Sequence, residues 1–269
     1  MKGFYVYCVH PKLVNALPAK AKGVEFAKNL QSVPFQDIEA VSGEIDPLKF
    51  NPELIKEKLL SDPKWAEENI CRHHEVIDRA FQTSVVIPMK FGTMYKNKKS
   101  LVDMLEKYYR QFKILISRLQ DKKEWGIKAY LDRNKFIGGL KKKNKEIQKL
   151  EKRRSSVQEG MRWYIERKVD EIIAKEFEED IEKELQYLIG KVENYTKEIR
   201  LNEILSKDIL EPAREMIITA ACLIKNDALQ NFNGLFQELA KEAMRKGIKL
   251  ELTGPWPPYN FVEIKNEKT

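Results

Sequence analysis

Two adjacent histidines and a glutamate, His73, His74 and Glu75, are the group of side chains in the sequence most suited to chemistry. Imidazole and carboxylate groups bind zinc and act as general acids and bases. Neighbouring residues on a helix point about 100° apart, however, so the two imidazoles cannot easily face one ion. The HExxH pattern is absent, because Glu75 is followed by Val-Ile-Asp. We therefore predict no metal site, with one histidine packed beside an apolar stripe and the other in solvent.

Other residue patterns of catalysis are missing from the sequence. It contains no GxSxG nucleophile elbow, and Gly138-Gly139 lacks the Lys-Ser/Thr of a phosphate-binding loop. The carboxylates of residues 176–184 are typical of a solvated face on a charged helix. The sequence therefore predicts no catalytic residue and no cofactor, and we expect the protein not to be an enzyme.

The cysteines and the hydropathy indicate the compartment. Cys8, Cys71 and Cys222 are odd in number, far apart and set in apolar stretches, which argues against a disulfide framework. No apolar run approaches the roughly 20 residues of a membrane span. The first ten residues are too aromatic for a signal peptide. We expect a cytoplasmic protein that has no membrane partner.

Basic residues outnumber acidic ones, with 49 Lys and Arg against 41 Asp and Glu, a formal net charge of +8. A Lys-rich run occupies residues 141–154, but Glu146 and Glu151 dilute it and no aromatic residue is interleaved. A solvated helix face is the interpretation we favour, so no specific nucleic-acid partner is predicted. The alternative is a basic nucleic-acid-associated module, whose binding would depend strongly on salt.

The secondary structure of the first half of the chain follows from its apolar pattern and its turn residues. Strands are predicted where β-branched and aromatic residues cluster, at residues 4–9, 24–26, 32–35 and 38–41. Helices are predicted to begin after capping residues, at Asn51-Pro52, Asp62-Pro63 and Ser100. Residues 72–95 predict the end of a helix, a turn, a buried strand around Val86 and a Lys/Gly turn.

The second half of the chain begins after a charged turn at residues 121–124, which is a plausible domain boundary. Its predicted elements are strands at 125–131, 216–224 and 248–253, a Lys-rich helix at 141–154, a long helix from Ser156 to Gly190, and a helix at 229–243 ended by Gly247. The stripe of the long helix includes Met161. This order predicts an α+β sandwich with helices over one face of a small sheet. The pattern leaves open whether the long helix packs within the chain or against a second copy.

The stretch from Gly254 to Phe261, GPWPPYNF, combines three prolines with large aromatic residues. Proline lacks the N–H that a strand ladder requires, so the stretch cannot extend a sheet. We interpret it as a rigid strap packed over a domain. The alternative is a hydrophobic docking edge, because Trp256 and Tyr259 have large apolar bodies with polar ends.

Several of these segments, taken in order, resemble the gas vesicle protein L/F family (GvpL/GvpF). The segments are FYVYCV at 4–9, Trp65, RHHE at 72–75, VIPMKFGT at 86–93, EWGIKAY at 124–130, Gly160 with Tyr164, ACLI at 221–224 and LTGPWPPYNF at 252–261. Each one alone is weak, but WGxKxY and GPWPPYxF together are specific. The sequence departs from the family pattern at Cys8, where a small residue is common, and in the Lys-rich segment near Lys141.

The resemblance implies an accessory protein of gas vesicle formation. Such a protein would bind the hydrophobic, aggregation-prone shell subunit (GvpA-type), other accessory proteins, or both, in the cytoplasm and at the gas vesicle, and some members are minor vesicle components. The family fold implies an N-terminal α/β domain, placed at residues 1–120, and a C-terminal domain of modified ferredoxin type with extra long helices, placed at residues 121–269. Aromatic segments at both ends suggest the contact residues Phe4, Tyr5, Tyr7, Trp256 and Tyr259.

Overall fold

A computed structural model describes residues 2–12, 22–196, 198–202 and 215–264. The chain divides into two compact units, Met1–Glu124 with Pro255–Thr269, and Trp125–Gly254. The division of the sequence at residues 120 and 121 stays a prediction. The compact units differ from it mainly because residues after Gly254 pack with the first unit.

The first unit is built on an antiparallel sheet whose middle strand is aromatic. Its strands are β1 (Gly3–Pro11), β2 (Lys28–Phe35), β3 (Ile38–Ile45), β4 (Ile87–Pro88) and β5 (Met94–Tyr95). The order is β2-β3-β1-β4, and β5 also pairs with β1. Since β1 runs antiparallel to each of its neighbours, this unit has the α+β rather than the α/β arrangement. Residues 24–26 form a turn, which corrects the strand prediction there.

Three helices accompany this sheet: α1 (Pro52–Ser61), α2 (Pro63–Phe81) and α3 (Lys98–Leu119). The predicted caps of α1 and α2 are confirmed, since Asn51 accepts from the Leu54 N–H and Asp62 from the Trp65 N–H, each at 3.0 Å. The predicted start of α3 is wrong by three residues. Asn97 is its N-cap and accepts from the Ser100 N–H, while the Ser100 hydroxyl, at the third helical position, accepts from the Asn97 N–H.

Strand β1 is buried along its length because α2 and α3 both contact it. The ring of Tyr5 shares one apolar cluster with Val76 and Ile77 of α2. On α3, Leu101, Leu105 and Phe112 are fully buried, as its helical stripe predicts. The buried strand predicted around Val86 contributes only the two-residue β4, although Val86 itself is fully buried.

The second unit has a four-stranded sheet of β6 (Lys122–Leu131), β7 (Ile199–Leu201), β8 (Glu215–Lys225) and β9 (Ile248–Trp256), in the order β7-β8-β6-β9. Its helices are α4 (Arg133–Lys143), α5 (Lys145–Arg154), α6 (Glu159–Val192) and α7 (Leu229–Arg245). Helix α7 packs Phe232 and Phe236 against the sheet. The two sheets with their helices confirm the α+β class. Strand β7 was not predicted from the sequence, because three residues are too few to show an alternating hydrophobic pattern.

Three helix predictions in this unit require correction. The Lys-rich segment is two helices, because Asn144 is the C-cap of α4 and its side chain caps α5 by accepting from the Glu146 and Ile147 N–H groups at 2.7 and 2.9 Å. Ser156 does not open α6. Its hydroxyl donates to the Arg153 carbonyl, and α6 begins at Glu159. Gly190 does not break α6, which continues to Val192.

We expect two glycine substitutions to have opposite effects on stability. Gly247 has φ +91°, and an added Cβ would lie 2.9 Å from the Phe136 nitrogen, so Gly247→Ala should destabilise the protein by about 2 kcal/mol. Gly190 is helical with open space around its Cβ position, so Gly190→Ala should stabilise it by about 0.5–1 kcal/mol. Denaturant unfolding measures both changes. Equal changes in the free energy of unfolding for the two variants would contradict the different backbone environments of Gly247 and Gly190.

Candidate functional site

His73 lies at the centre of a buried hydrogen-bond network in the first unit. It is 2% exposed. Its Nε2 donates to the Met89 carbonyl at 3.1 Å, and the Tyr5 hydroxyl donates to its Nδ1 at 2.9 Å. The Gly92 N–H then donates to the Tyr5 oxygen at 3.3 Å. The tautomer with the proton on Nε2 satisfies every one of these bonds, since a carbonyl can only accept.

The electrostatics of this network suit a structural contact. Burial lowers the pKa of His73 to about 4, so the imidazole is neutral near pH 7. Burial likewise raises the pKa of the Tyr5 hydroxyl far above its ordinary value. Both groups keep their protons fixed under physiological conditions. The arrangement therefore holds α2, β1 and the turn at Gly92 together.

His74 is exposed and has a different partner. Its Nδ1 lies 2.6 Å from the Tyr259 hydroxyl. The prediction that one histidine packs and the other meets solvent is therefore confirmed. Among residues 2–12, 22–196, 198–202 and 215–264, no group of three or more His, Cys, Asp or Glu side chains is placed to hold a metal ion.

The C-terminal segment is fixed to the first unit by a buried carboxylate. Glu124, 3% exposed, accepts from the Asn260 N–H at 2.9 Å and from the Asn260 Nδ2 at 2.6 Å. The Arg118 guanidinium donates to the carbonyl of Phe261, whose ring is buried. From Pro257 onward these contacts agree with the interpretation of the segment as a strap. Residues 254–256, however, continue β9, so the prediction that this stretch cannot extend a sheet is wrong there. We call residues 255–264 the C-terminal strap.

The five contact residues suggested by the sequence have very different environments. Phe4, Tyr5 and Tyr7 are 5%, 0% and 0% exposed, because β1 is an interior strand whose faces are covered. They therefore form no exposed surface in this structure, which corrects that expectation. Tyr259 packs against the same apolar cluster as Tyr5 and Tyr7, and burial raises the pKa of its hydroxyl well above the ordinary value. Trp256 is 45% exposed.

Exposed apolar side chains occur elsewhere, at positions that the sequence reasoning missed. One group lies in and before α1, at Leu48, Leu54 and Leu60. A second lies at the start of α6, at Met161, Trp163 and Tyr164. Met161 is 45% exposed, so its assignment to a buried stripe is wrong. A sequence signal was present in the second group, because three large apolar residues within four positions exceed what one buried helix face can take.

No described helix is both long enough and apolar enough to cross a membrane.

Comparison with known proteins decides the family. Residues 3–263 match the sequence model of the family described as gas vesicle synthesis protein GvpL/GvpF. This chain belongs to the GvpL/GvpF family. The suspected resemblance is thereby confirmed, and membership supports a role in gas vesicle formation.

Proteins named gas vesicle protein L and proteins named gas vesicle protein F are both similar to this GvpL/GvpF chain over most of its length. Gas vesicle protein L of Streptomyces sp. (strain CB03234) is 24% identical over 269 residues, which cover 98% of this chain and 94% of that protein. Gas vesicle protein F1 of Halobacterium salinarum (strain ATCC 700922 / JCM 11081 / NRC-1) is 21% identical over 252 residues, covering 92% and 88%.

Solved structures of GvpF show the same fold. The crystal structure of GvpF from Anabaena sp. PCC7120 superposes with a TM-score of 0.69 at 15% identity, covering 100% of this chain and 99% of that chain. GvpF from Microcystis aeruginosa gives a TM-score of 0.63 at 15% identity, covering 96% and 98%. In this GvpL/GvpF chain, the motifs around His73, Gly92 and Asn260 are contacts that maintain the first unit.

Proposed function

We propose that this protein is an accessory protein of gas vesicle formation that binds the hydrophobic shell subunit (GvpA-type), other gas vesicle accessory proteins, or both. The observation that carries the proposal is membership of the GvpL/GvpF family over residues 3–263. The protein acts without catalysis, in the cytoplasm and at the gas vesicle. In this role the protein is either a transient partner of the shell subunit and accessory proteins or a minor component of the finished vesicle.

The physical basis of the proposal is that this protein shields the apolar surface of the shell subunit from water and from other subunits. A subunit that aggregates through its apolar face stays soluble only while another surface shields that face. Exposed aromatic side chains supply apolar contact area, and the charged helices keep the complex in solution. The interaction is non-covalent and reversible, so the subunit can be released to the growing shell.

Of the five contact residues suggested by the sequence, we propose Trp256 for such a contact because its side chain is exposed. It is 45% exposed at the end of β9, which is an outer strand of the second sheet. Pro255 and Pro257 flank it, and neither has an N–H to offer to a further strand. A partner is therefore expected to contact the Trp256 side chain at this edge rather than to add a strand to the sheet.

Co-expression with the shell subunit tests this contact. We expect Trp256→Ser to lower the amount of shell subunit that co-purifies by about tenfold, the loss that follows from about 1.4 kcal/mol of binding free energy. Leu201→Ser is the matched control, because Leu201 is 64% exposed on β7 at the other side of the same sheet. Equal retention by the wild type and both variants would contradict a role for Trp256.

We also infer that the second unit is a modified ferredoxin-like domain. Its elements run strand, helices, strand, strand, helix, strand. Across the sheet the strand order is β7-β8-β6-β9, which is 2-3-1-4 when the strands of this unit are numbered along the chain. That succession is the split βαβ arrangement of ferredoxin-like domains. The three helices between β6 and β7 replace the single helix of the simple form and account for the extra helical length.

The alternative function, a basic nucleic-acid-associated module, is favoured by one observation. Residues 141–168 contain eleven Lys and Arg against four Glu. Retention of nucleic acid by the purified protein, decreasing steeply as salt is raised, would support this alternative.

A further inference from the structure

The helices between β6 and β7 form a hairpin whose tip carries unexplained exposed residues. Helix α5 and the first half of α6 pack together over a buried cluster that includes Ile147, Ile165 and Val169. An ion pair between Arg154 and Glu166, 3.2 Å apart, joins the end of α5 to the start of α6. We call residues 152–168 the hairpin tip.

The hairpin tip exposes three large apolar side chains within four residues. Met161, Trp163 and Tyr164 are 45%, 60% and 57% exposed, and every residue from 158 to 164 is exposed. Such a group on a protein surface is typical of an interaction site. Trp and Tyr are also the residue types that contribute most to binding free energy at protein interfaces.

The positive charge of the protein is concentrated in the same part of the fold. Residues 141–168 contain eleven Lys and Arg against four Glu, an excess of seven positive charges in a chain whose formal net charge is +8. The rest of the chain is therefore close to neutral. Lys152, Arg153 and Arg154 end α5, and Arg162, Arg167 and Lys168 follow on α6. Along the chain these cations flank the apolar group together with Glu159 and Glu166, and the excess of positive charge favours an acidic partner.

Two other possible ligands of the hairpin tip, a nucleic acid and a second copy of the chain, fit its structure less well. A nucleic-acid base would stack on an aromatic ring, and the Arg167 guanidinium, 5.2 Å from the centre of the Trp163 ring, leaves only the opposite face of that ring for it. The most acidic stretch that a second copy of the chain could offer is residues 176–184, which include Asp180. That carboxylate, however, already pairs within the chain with Lys143 and Lys183 at 3.6 and 3.5 Å.

We propose that the hairpin tip binds an acidic amphipathic segment of a partner protein. Trp163 and Tyr164 contact the apolar side chains of that segment, while the cations at the end of α5 attract its carboxylates. The inference deepens the proposed function by naming a second surface and the chemistry of its partner. It rests on that function only in taking the partner to be a protein.

A defined peptide provides the test with the full-length protein. The probe is a labelled helical peptide of about 20 residues, roughly 30 Å long, with Glu on one face and Leu on the other. A second peptide of equal charge has Ser in place of Leu, and a single-stranded oligonucleotide is the third probe. We expect the Glu/Leu peptide to bind most tightly in fluorescence anisotropy.

Variants locate the binding on the protein. Trp163→Ala should weaken binding of the Glu/Leu peptide about tenfold or more. Lys152→Glu combined with Arg153→Glu should weaken it similarly and reduce its salt dependence. Leu48→Ala, at a side chain 89% exposed in the first unit, is the matched apolar control, and Lys64→Glu is the charge control. Both controls should bind like the wild type, and circular dichroism verifies that every variant is folded.

Three results would each overturn the proposal. The first is absence of peptide binding, or equal binding by Trp163→Ala. The second is tighter binding of the oligonucleotide, lost in the same variants, which would favour nucleic acid. The third is self-association that the tip variants abolish, which would favour a second copy. Retention of the shell subunit and of other accessory proteins is measured separately, so a protein that binds the peptide but retains neither contradicts the proposed function alone.

Discussion

Lowering the pH from about 7 to about 4 should cost the protein about 3 kcal/mol of folding free energy through His73 alone. The reason is the burial of a neutral imidazole. Burial lowers the pKa of His73 to about 4, against an ordinary value of 6.5. Protonation would place a charge among Tyr5, Tyr7 and Phe91, and it would remove the acceptor to which the Tyr5 hydroxyl donates.

The sign of this effect follows from which state binds the proton. Between about pH 6.5 and pH 4 the unfolded chain takes up a proton at His73 that the folded protein excludes. The unfolded state is therefore favoured progressively as the pH falls through this range. The contribution of His73 is fully present above its unfolded pKa and is lost on the way down to its folded pKa.

A difference measurement isolates His73 from the carboxylates that titrate in the same range. The free energy of unfolding is measured at several pH values for the wild type and for His73→Gln, whose amide can donate to Met89 and accept from Tyr5. We expect the advantage of the wild type over His73→Gln to shrink by about 3 kcal/mol between about pH 7 and pH 4. Tyr7→Phe, which loses the hydroxyl that accepts from the Val24 N–H, should show a constant difference instead. Parallel curves for the wild type and His73→Gln would contradict the assignment.

Removing the Glu124 carboxylate should release the C-terminal strap. In Glu124→Ala the backbone N–H and the side-chain amide of Asn260 both lose their acceptor. Two hydrogen bonds to a buried charge are lost, so we expect a destabilisation of about 2–3 kcal/mol. The strap should also become open to chymotrypsin at Tyr259 and Phe261. Unfolding by denaturant and limited proteolysis measure the two effects.

A double-mutant cycle tests whether these hydrogen bonds are the cause. Asn260→Ala removes the shorter of the two bonds and should cost about 1–2 kcal/mol. Adding it to Glu124→Ala should cost little more, since its partner is already gone. Glu263→Ala, at an exposed carboxylate near the end of the strap, is the control and should leave both stability and proteolysis unchanged. Additive effects of Glu124→Ala and Asn260→Ala would show that the strap is held by other contacts.

Local signals were sufficient to predict the caps of α1 and α2 and the presence of most of the longer elements, although the predicted caps at Ser100 and Ser156 are wrong. Asn51 and Asp62 accept the hydrogen bonds expected of capping residues, because a cap depends only on the three residues that follow it. The strand at residues 4–9 was evident from its composition. Short elements such as β5 and β7 were missed, since two or three residues carry no periodic pattern.

The environment of the candidate contact residues could not be predicted in the same way. Aromatic residues in a strand serve equally well in a core or on a surface, and the burial of Tyr5 and Tyr7 is decided by helices far along the chain. The bond between Tyr5 and His73 joins residues 68 positions apart. Residues 161–164 carried a local signal, but the exposure of Trp163 is decided by which face of α6 packs against α5.

Co-expression with the GvpA-type shell subunit tests the central claim most directly. The measurement is the amount of shell subunit that remains soluble and co-purifies with this protein, compared with the shell subunit expressed alone. Our account predicts that both quantities rise when this protein is present. A shell subunit that stays insoluble and unbound, while other accessory proteins are retained, would contradict direct binding and would instead make this protein a scaffold among the accessory proteins.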